Sequence, residues 1–203
     1  MNTLNKDAEK NETVRYYELK ADEFARDTAH ASVAELLDEF VALLPEGALI
    51  LDWGCGTGRD SRELLDRGFA VVSIDASDAM CAKAKELFGV DARCESFSDL
   101  NFDNAFDGIW ACASLVHVGK EDLPGILGKA EKALKPRGVL YASFKLGAFE
   151  GMRSGRWFTD LEEESLLALL PEGFEVIRIW VTDDVRPSRS GERWLNSLLR
   201  KRS

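Results

Sequence analysis

A glycine-rich turn directly after a buried strand constrains this chain more than any other feature. The apolar run 48–51 is followed by Asp52-Trp53-Gly54-Cys55-Gly56-Thr57-Gly58, and a helical pattern begins at Arg59. The glycines let the backbone take unusual dihedral angles and leave room for a ligand to approach the chain. The helix behind the turn presents N–H groups and the positive end of its dipole. The turn therefore predicts a small-molecule site at the carboxyl end of the first strand.

The residues around the turn restrict the kind of ligand. A dinucleotide fingerprint, Gly-x-Gly-x-x-Gly, would need glycine at the position that Arg59 occupies. The carboxylate of Asp52 would repel a pyrophosphate group and would attract a positively charged group. The turn therefore favours a ligand with positive charge, and the alternative is a structural turn with incidental glycines.

Strand-like and helix-like segments alternate along most of the chain. Apolar runs typical of buried strands cover 48–51, 69–74, 92–95, 106–113 and 139–144. Helical patterns separate them, which predicts a parallel sheet with right-handed crossovers. The last two predicted strands, 174–181 and 194–199, have no helix between them and should pair antiparallel. We therefore expect an α/β fold with the strand order 3-2-1-4-5-7-6.

The segment 52–58 resembles motif I of the class I S-adenosylmethionine-dependent methyltransferases, whose signature is acidic-x-Gly-x-Gly-x-Gly. The resemblance covers nearly the whole chain and extends to small bacterial enzymes of the type 11, type 12 and tellurite-resistance-like groups. It implies a Rossmann-like three-layer sandwich with a seven-stranded, mostly parallel sheet that ends in an antiparallel hairpin. It also implies methyl transfer, with S-adenosylmethionine as the cofactor. Residues 1–203 would form a single domain, with 1–45 as a helical cap or lid and 46–203 as the core.

Asp75 is the predicted anchor of the cofactor's ribose. It ends the second strand, where a carboxylate accepts hydrogen bonds from ribose hydroxyls in many nucleotide-binding folds. Capping of the helix that begins near Ser77 is the alternative role.

The resemblance implies further cofactor contacts. Ala76, Met80 and Phe97 would pack on the adenine, with a place in the core as the alternative for Met80 and Phe97. Either Glu95 or Ser96 would bind the adenine amino group. Arg59 and Asp60 would reach the methionine end or pair with each other. The residues expected to contact the cofactor are Tyr17, Asp52, Gly54, Cys55, Gly56, Gly58, Arg59, Asp60, Asp75, Ala76, Ser77, Met80, Glu95, Ser96, Phe97, Ala111 and Ser114.

His117 is the candidate catalytic residue. It follows the fourth strand, on the side of the sheet where ligands of open α/β folds bind, and imidazole ordinarily titrates near neutrality. The alternative is a packing role, because an activated sulfonium needs positioning more than it needs a base. Tyr16, Tyr17 and Phe24 either form a lid over the cofactor or pack a polar helix onto the core.

Two loops after late strands carry the candidate acceptor-binding residues. The first loop spans 146–159 and contains Arg153, Arg156 and Trp157, and the second contains Arg186 and Arg189. Guanidinium groups at this edge of an acidic protein predict a small anionic methyl acceptor, a carboxylate or a phosphate. Alternatively, these arginines pair with acidic side chains of the same loops.

Composition narrows the partners. The net charge of −10 repels phosphate backbones, so we expect no DNA partner, while an RNA methyltransferase and a noncatalytic cofactor-binding module remain alternatives. The four cysteines have no Cys-x-x-Cys spacing, which predicts reduced thiols and no metal site. No segment resembles a signal peptide or a membrane span, so we expect a cytoplasmic monomer or homodimer acting on a small molecule.

Overall fold

The computed structural model describes residues 3–29, 31–186 and 189–203, with side chains from residue 12 onward. The helices are α1 (Thr3–Thr28), α2 (Ala34–Val41), α3 (Arg59–Asp66), α4 (Asp78–Phe88), α5 (Leu123–Ala133) and α6 (Glu163–Leu169). The strands are β1 (Leu49–Trp53), β2 (Ala70–Asp75), β3 (Arg93–Cys94), β4 (Phe106–Ala111), β5 (Leu134–Lys145), β6 (Glu150–Arg153), β7 (Arg156–Thr159), β8 (Phe174–Asp183) and β9 (Arg193–Lys201).

The main sheet of the described residues has seven strands in the order β3-β2-β1-β4-β5-β9-β8. The first five are parallel to their neighbours, whereas β9 runs antiparallel to both β5 and β8. With β8 and β9 as the sixth and seventh predicted strands, this is the predicted order 3-2-1-4-5-7-6. The Rossmann-like α/β fold and its antiparallel ending are confirmed.

Burial on both faces explains why the central strands are apolar runs in the sequence. Ile50, Leu51 and Trp53 of β1 are fully buried, and burial of each such side chain contributes roughly 1.5–3 kcal/mol. Leu51 and Trp53 pack in one hydrophobic cluster, and Ile50 packs in the other with Leu37 and Phe40 of α2. The two clusters cover the opposite faces of the sheet, as expected for a three-layer sandwich.

Local signals set the ends of α4. The Ser77 side chain accepts a hydrogen bond from the Met80 backbone N–H at 3.2 Å, and Gly89 ends the helix in the left-handed conformation. This cap fixes the chain immediately after β2, where the predicted ribose-binding residue lies.

One segment differs from its prediction. Residues 146–159 were predicted as a loop, but β6 and β7 form a separate antiparallel hairpin within it. Ser154 and Gly155, both with positive φ, make its two-residue turn, and this backbone twist matches that of paired strands. Helix α1 contacts this hairpin, since the Trp157 backbone N–H donates to Thr13 Oγ1 at 2.8 Å.

Candidate active site

A large cavity opens at the carboxyl ends of β1, β2, β4 and β5 and has a volume of about 720 Å³. This size lies within the range of small-molecule sites, roughly 300–1,000 Å³. Charged residues divide its lining. We call Asp52 of β1, Asp60 of α3 and Asp75 of β2 the acidic side. We call Lys145, Arg156, Arg186 and Arg189, which come from β5, β7 and the β8–β9 loop, the basic side.

In the glycine turn, which borders the acidic side, the backbone lies very close to neighbouring residues. Gly54 has φ +84°, and a Cβ built there would lie 2.4 Å from Ser114 Cβ. Gly58 has φ +80° at the start of α3, where a Cβ would lie 2.9 Å from Ala84 Cβ. Both positions therefore require glycine, and the turn bends tightly enough to leave Gly54, Cys55 and Gly56 on the cavity surface.

Asp75 lies at the end of β2 and joins the turn to α4. Its carboxylate accepts hydrogen bonds from the backbone N–H groups of Gly56 at 2.8 Å and Ser77 at 3.0 Å. A carboxylate has about four acceptor positions, so two remain for a ligand. Burial raises the pKa of Asp75, although these N–H donors oppose the shift. The side chain that caps α4 is Ser77, to whose own N–H Asp75 is bound, and the role of Asp75 as the ribose anchor stays a prediction.

Asp52 is the most enclosed carboxyl of the acidic side, with 2% exposure. Burial, reinforced by the negative charge of Asp60, raises its pKa to about 8, although Ser61 Oγ donates to it at 2.5 Å. Arg59 pairs with Asp60 at 2.7 Å, and Trp110 Nε1 donates to the other oxygen of Asp60 at 3.0 Å. The pairing of Arg59 with Asp60 is one of the two predicted arrangements. A cationic ligand group would relieve the remaining repulsion on this side.

The far end of the acidic side is apolar and suits a planar ring. Ala76, Met80 and Phe97 line it together with Ser96. Ser96 Oγ lies 2.7 Å from both Ser98 Oγ and Asp99 Oδ2. Glu95 does not line the cavity, and its backbone N–H donates to the carbonyl of Asp75 instead. Of the two polar candidates for the adenine contact, Ser96 is the one on the cavity surface.

Tyr17 and His117 form a hydrogen-bonded pair above the turn. Tyr17 Oη lies 2.9 Å from His117 Nε2, and His117 Nδ1 lies 2.6 Å from the carbonyl oxygen of Trp157. Since a carbonyl only accepts, Nδ1 carries the proton and Nε2 accepts from the tyrosine. Burial lowers the pKa of His117 to about 4, and the positive charge of Arg156 acts in the same direction. Both ring nitrogens are engaged and the ring is neutral, which favours the packing role over that of a general base.

Most cations of the basic side have carboxylate partners. Asp184 binds Arg186 Nη2 at 2.6 Å and Lys145 Nζ at 3.3 Å. Glu192 contacts Lys145 and binds Arg189 Nη1 at 3.1 Å. Burial alone would raise the pKa of Asp184, but the hydrogen bonds from Arg186 hold it well below its ordinary value. The pairing predicted as the alternative is therefore present for Arg186 and Arg189, and Arg156 differs from both.

Five predicted site residues do not line the cavity: Gly58, Glu95, Ala111, Arg153 and Trp157. Gly58 packs on Ala84, and Ala111 is enclosed within the sheet. Arg153 turns away from the cavity to pair with Asp160 at 2.7 Å. The Trp157 indole is buried on the hairpin, where its Nε1 donates to Thr159. The predicted residues that do line it are Tyr17, Asp52, Gly54, Cys55, Gly56, Arg59, Asp60, Asp75, Ala76, Ser77, Met80, Ser96, Phe97, Ser114, His117, Arg156, Arg186 and Arg189.

Other lining residues were not predicted. Tyr141 and Lys145 of β5 and Asn196 of β9 reach the cavity from the middle and the end of strands, and Trp194 stacks under Lys145 Nζ at 4.4 Å. Tyr141 Oη donates to Asn196 Oδ1 at 2.7 Å. Lys145 closes an apolar run at the carboxyl end of a parallel strand, and that position is the only sequence signal it offers.

The cysteines and acidic residues of the described chain form no group of three or more potential metal ligands. Cys55, Cys81, Cys94 and Cys112 are free thiols. Burial raises the pKa of Cys81 and of Cys112 to about 12, so both thiols stay protonated at neutral pH.

A family model described as a methyltransferase domain matches residues 50–138, which contain the glycine turn, Asp75 and Ser114. This segment is less than half of the chain, and over it the chain is similar to that family. The matched segment supplies the acidic side of the cavity, whereas every residue of the basic side lies beyond residue 138.

Solved structures of methyltransferases share the fold of this chain. One is 1,6-didemethyltoxoflavin-N1-methyltransferase from Burkholderia thailandensis, with its named compound and S-adenosylhomocysteine bound. It gives a TM-score of 0.75 at 21% identity and covers 100% of this chain and 92% of that one. An S-adenosylmethionine-dependent methyltransferase from Methanosarcina mazei gives a TM-score of 0.71 at 21% identity, over 82% of this chain and 97% of that one.

Curated relatives match part of this chain. Ubiquinone biosynthesis O-methyltransferase from Paramagnetospirillum magneticum is 35% identical over 134 residues, which are 63% of this chain and 51% of the relative. Trans-aconitate 2-methyltransferase from Deinococcus radiodurans is 34% identical over 103 residues, 49% of this chain and 39% of the relative. The chain thus spans about half the length, or less, of these relatives.

Proposed function

We propose that this chain transfers the methyl group of S-adenosylmethionine to a small molecule that carries an anionic group. The observation that carries the proposal is one cavity with a glycine turn and Asp75 on its acidic side and guanidinium groups on its basic side. Such a cavity suits a cationic cofactor and an anionic acceptor at the same time.

The residues of the acidic side fit the cofactor. Asp75 has acceptor positions left for the ribose hydroxyls, and Phe97 and Met80 offer apolar surface to the adenine. Asp52 and Asp60 provide negative charge for the ammonium and sulfonium groups. The cofactor, when bound, supplies a methyl group on an already activated sulfonium.

The protein's own part in the reaction is positioning. Tyr17 of α1 lies over the turn, and a hydrogen bond to His117 holds its hydroxyl there. The Tyr17 side chain thereby forms part of the roof of the cavity. Because His117 is neutral with both nitrogens engaged, we assign it to orienting Tyr17 and not to proton abstraction. Holding the acceptor in line with the sulfonium can supply much of the acceleration. Residues 1–45 would serve as the lid that excludes water during transfer.

A small acceptor agrees with several features. The cavity is enclosed on one side by α1, through Tyr17 and Phe24. The trans-aconitate relative is named for a carboxylate, which agrees with the basic side of this cavity. The net charge of −10 disfavours nucleic acid as the acceptor.

No helix in the described part of the chain has both the length and the apolar character needed to cross a bilayer. We propose action in the cytoplasm, by a monomer or homodimer.

Isothermal titration calorimetry with S-adenosylmethionine and S-adenosylhomocysteine tests the cofactor. We expect micromolar binding that Asp75→Ala weakens about 10- to 100-fold, since hydrogen bonds to a charged group are worth about 1.5–3 kcal/mol. Asp91→Ala is the matched control, because this carboxylate is exposed and lies outside the cavity. Absence of binding by the wild-type protein would contradict the proposal.

Transfer itself is tested with S-adenosylmethionine carrying a radioactive methyl group and a cell extract divided by size. We expect label in acidic compounds below about 1 kDa, retained on an anion exchanger as expected for carboxylates or phosphates. Label confined to RNA or protein would contradict a small acceptor, and Asp75→Ala should remove the signal.

A further inference from the structure

Within the described part of the chain, Arg156 is a buried cation without a carboxylate partner. Arg156 is 8% exposed, and its Nε is buried with no hydrogen-bond acceptor. Among the residues that the structure describes, no carboxylate lies within ion-pair distance of it, whereas the other cations lining the cavity are all paired. Those paired cations are Arg59, Lys145, Arg186 and Arg189. A buried charge and an unsatisfied buried donor are both unfavourable, so the missing acceptor calls for an explanation.

Aromatic rings hold the Arg156 guanidinium in place. Its Cζ lies 4.6 Å from the ring centre of Tyr16, 5.2 Å from that of Phe158 and 5.8 Å from that of Tyr17. One nitrogen, Nη1, donates to Tyr17 Oη at 3.4 Å. These contacts orient the plane of the group but do not neutralise its charge, because rings and hydroxyls are weaker partners than a carboxylate.

We infer that Arg156 is the anion receptor of the cavity and takes a ligand carboxylate on the edge formed by Nε and Nη2. With Nη1 on Tyr17, this edge offers two parallel N–H donors, which match the two oxygens of a carboxylate. The inference rests on the proposed function, in which the cavity holds both cofactor and acceptor. It narrows the acceptor site from the whole basic side to one residue of the β6–β7 hairpin.

Two ligands have the required chemistry: the methyl acceptor and the amino-acid end of the cofactor. The first arm of the experiment addresses the cofactor. Calorimetry compares S-adenosylhomocysteine with 5′-methylthioadenosine, a nucleoside thioether that lacks the amino-acid end. The variants are Arg156→Gln and Arg156→Lys. Arg178→Gln is the matched control, because Arg178 also stacks on a ring at 4.6 Å but lies outside the cavity.

The second arm uses acetate as the smallest carboxylate probe and acetamide as its neutral counterpart. Both are titrated into protein saturated with S-adenosylhomocysteine, while NMR follows the Nε–H signals of the arginines. The Arg156 signal is assigned by its loss in the two variants. We expect acetate, but not acetamide, to shift this signal.

The outcomes separate the two sources. If the acceptor supplies the carboxylate, S-adenosylhomocysteine binds wild type and Arg156→Gln within about twofold. Acetate then gives a saturable shift of the Arg156 signal in the wild-type protein and, at the same concentrations, no saturable shift of any arginine signal in either variant. If the cofactor supplies it, Arg156→Gln weakens S-adenosylhomocysteine about 10- to 100-fold and leaves 5′-methylthioadenosine unchanged. Arg156→Lys should restore neither the binding of acetate nor that of S-adenosylhomocysteine, because an ammonium lacks the planar pair of donors.

Failure of the two proposals can be told apart. No dependence on Arg156 in either arm would overturn the inference while leaving the proposed function intact. If the wild-type protein bound neither nucleoside, the proposed function would fall, and the acetate titration of the ligand-free protein would still decide the role of Arg156. Should Arg156→Gln not fold, the charge-retaining Arg156→Lys supplies the same comparison.

Discussion

The acidic and basic sides of the cavity are built in different ways. The acidic side comes from one continuous region, where strand ends and the glycine turn place the carboxylates and backbone N–H groups bind that of Asp75. The basic side is assembled from β5, the β6–β7 hairpin and the β8–β9 loop. Carboxylate partners hold Lys145, Arg186 and Arg189, and aromatic rings hold Arg156. Backbone geometry thus defines the proposed cofactor site, whereas interchangeable side chains define the proposed acceptor site. This difference allows one fold to keep a cofactor and change its acceptor.

The largest effect should come from Gly54→Ala, which attacks the backbone geometry of the acidic side. The added Cβ would lie 2.4 Å from Ser114 Cβ at a φ of +84°. Left-handed backbone and overpacking together should lower the free energy of unfolding by about 2–5 kcal/mol. Urea denaturation measures it. Gly125→Ala in α5 is the control, because its Cβ meets no atom within 4 Å, and it should gain up to about 1 kcal/mol. Equal midpoints for both variants would mean that the turn does not depend on glycine.

The second prediction concerns His117, which faces the basic side. Its folded-state pKa of about 4 lies below the ordinary 6.5, so on acidification the unfolded chain takes up the proton first. Its contribution to stability is therefore complete above pH 6.5 and is lost as the pH falls to 4, by roughly 3 kcal/mol. The free energy of unfolding of wild type, minus that of His117→Asn, should show this slope between pH 7 and 4. A flat difference would mean that His117 titrates normally and is available as a base.

The third prediction concerns the charge of the acidic side. With a pKa of about 8, Asp52 is mostly protonated at pH 7, and a bound cation should favour its carboxylate form. Binding of S-adenosylmethionine at pH 7 should then release up to about one proton, an effect of about 1.4 kcal/mol per pKa unit. Calorimetry in two buffers of different ionisation enthalpy counts the proton. Asp52→Asn should release none, and equal release by both proteins would show that the proton comes from elsewhere.

The acidic side could be predicted from sequence because its signals are local. The turn, Asp75 and the Ser77 cap lie within one strand-helix-strand unit, and each has a residue type that its backbone position requires. The sequence could not decide whether Ser96 or Glu95 lines the cavity, because the two are adjacent and a shift of one position changes which side chain faces it. Which of these residues contact the cofactor stays a prediction.

The basic side was harder to predict because its residues meet only through the fold. Lys145, Trp194 and Asn196 lie on β5 and β9, and their proximity follows from an antiparallel register that no local pattern indicates. The β6–β7 hairpin was missed because Ser154-Gly155 is a weaker turn signal than Asn-Gly or Asp-Gly. Arg153 and Arg156 oppose each other in this hairpin and share one face of it, so the register alone does not indicate that only Arg156 lines the cavity.

The contact between Thr13 and Trp157 also bears on how the protein folds during synthesis. Helix α1 precedes the hairpin in the chain, and the backbone N–H that donates to its Thr13 lies 144 residues further along. The parallel strands β1, β2 and β4 can pair before the hairpin is synthesised, whereas the contact between α1 and the hairpin cannot. Closing so long a loop slows folding. We therefore expect the nascent chain to form the strands around the glycine turn before it encloses the cavity.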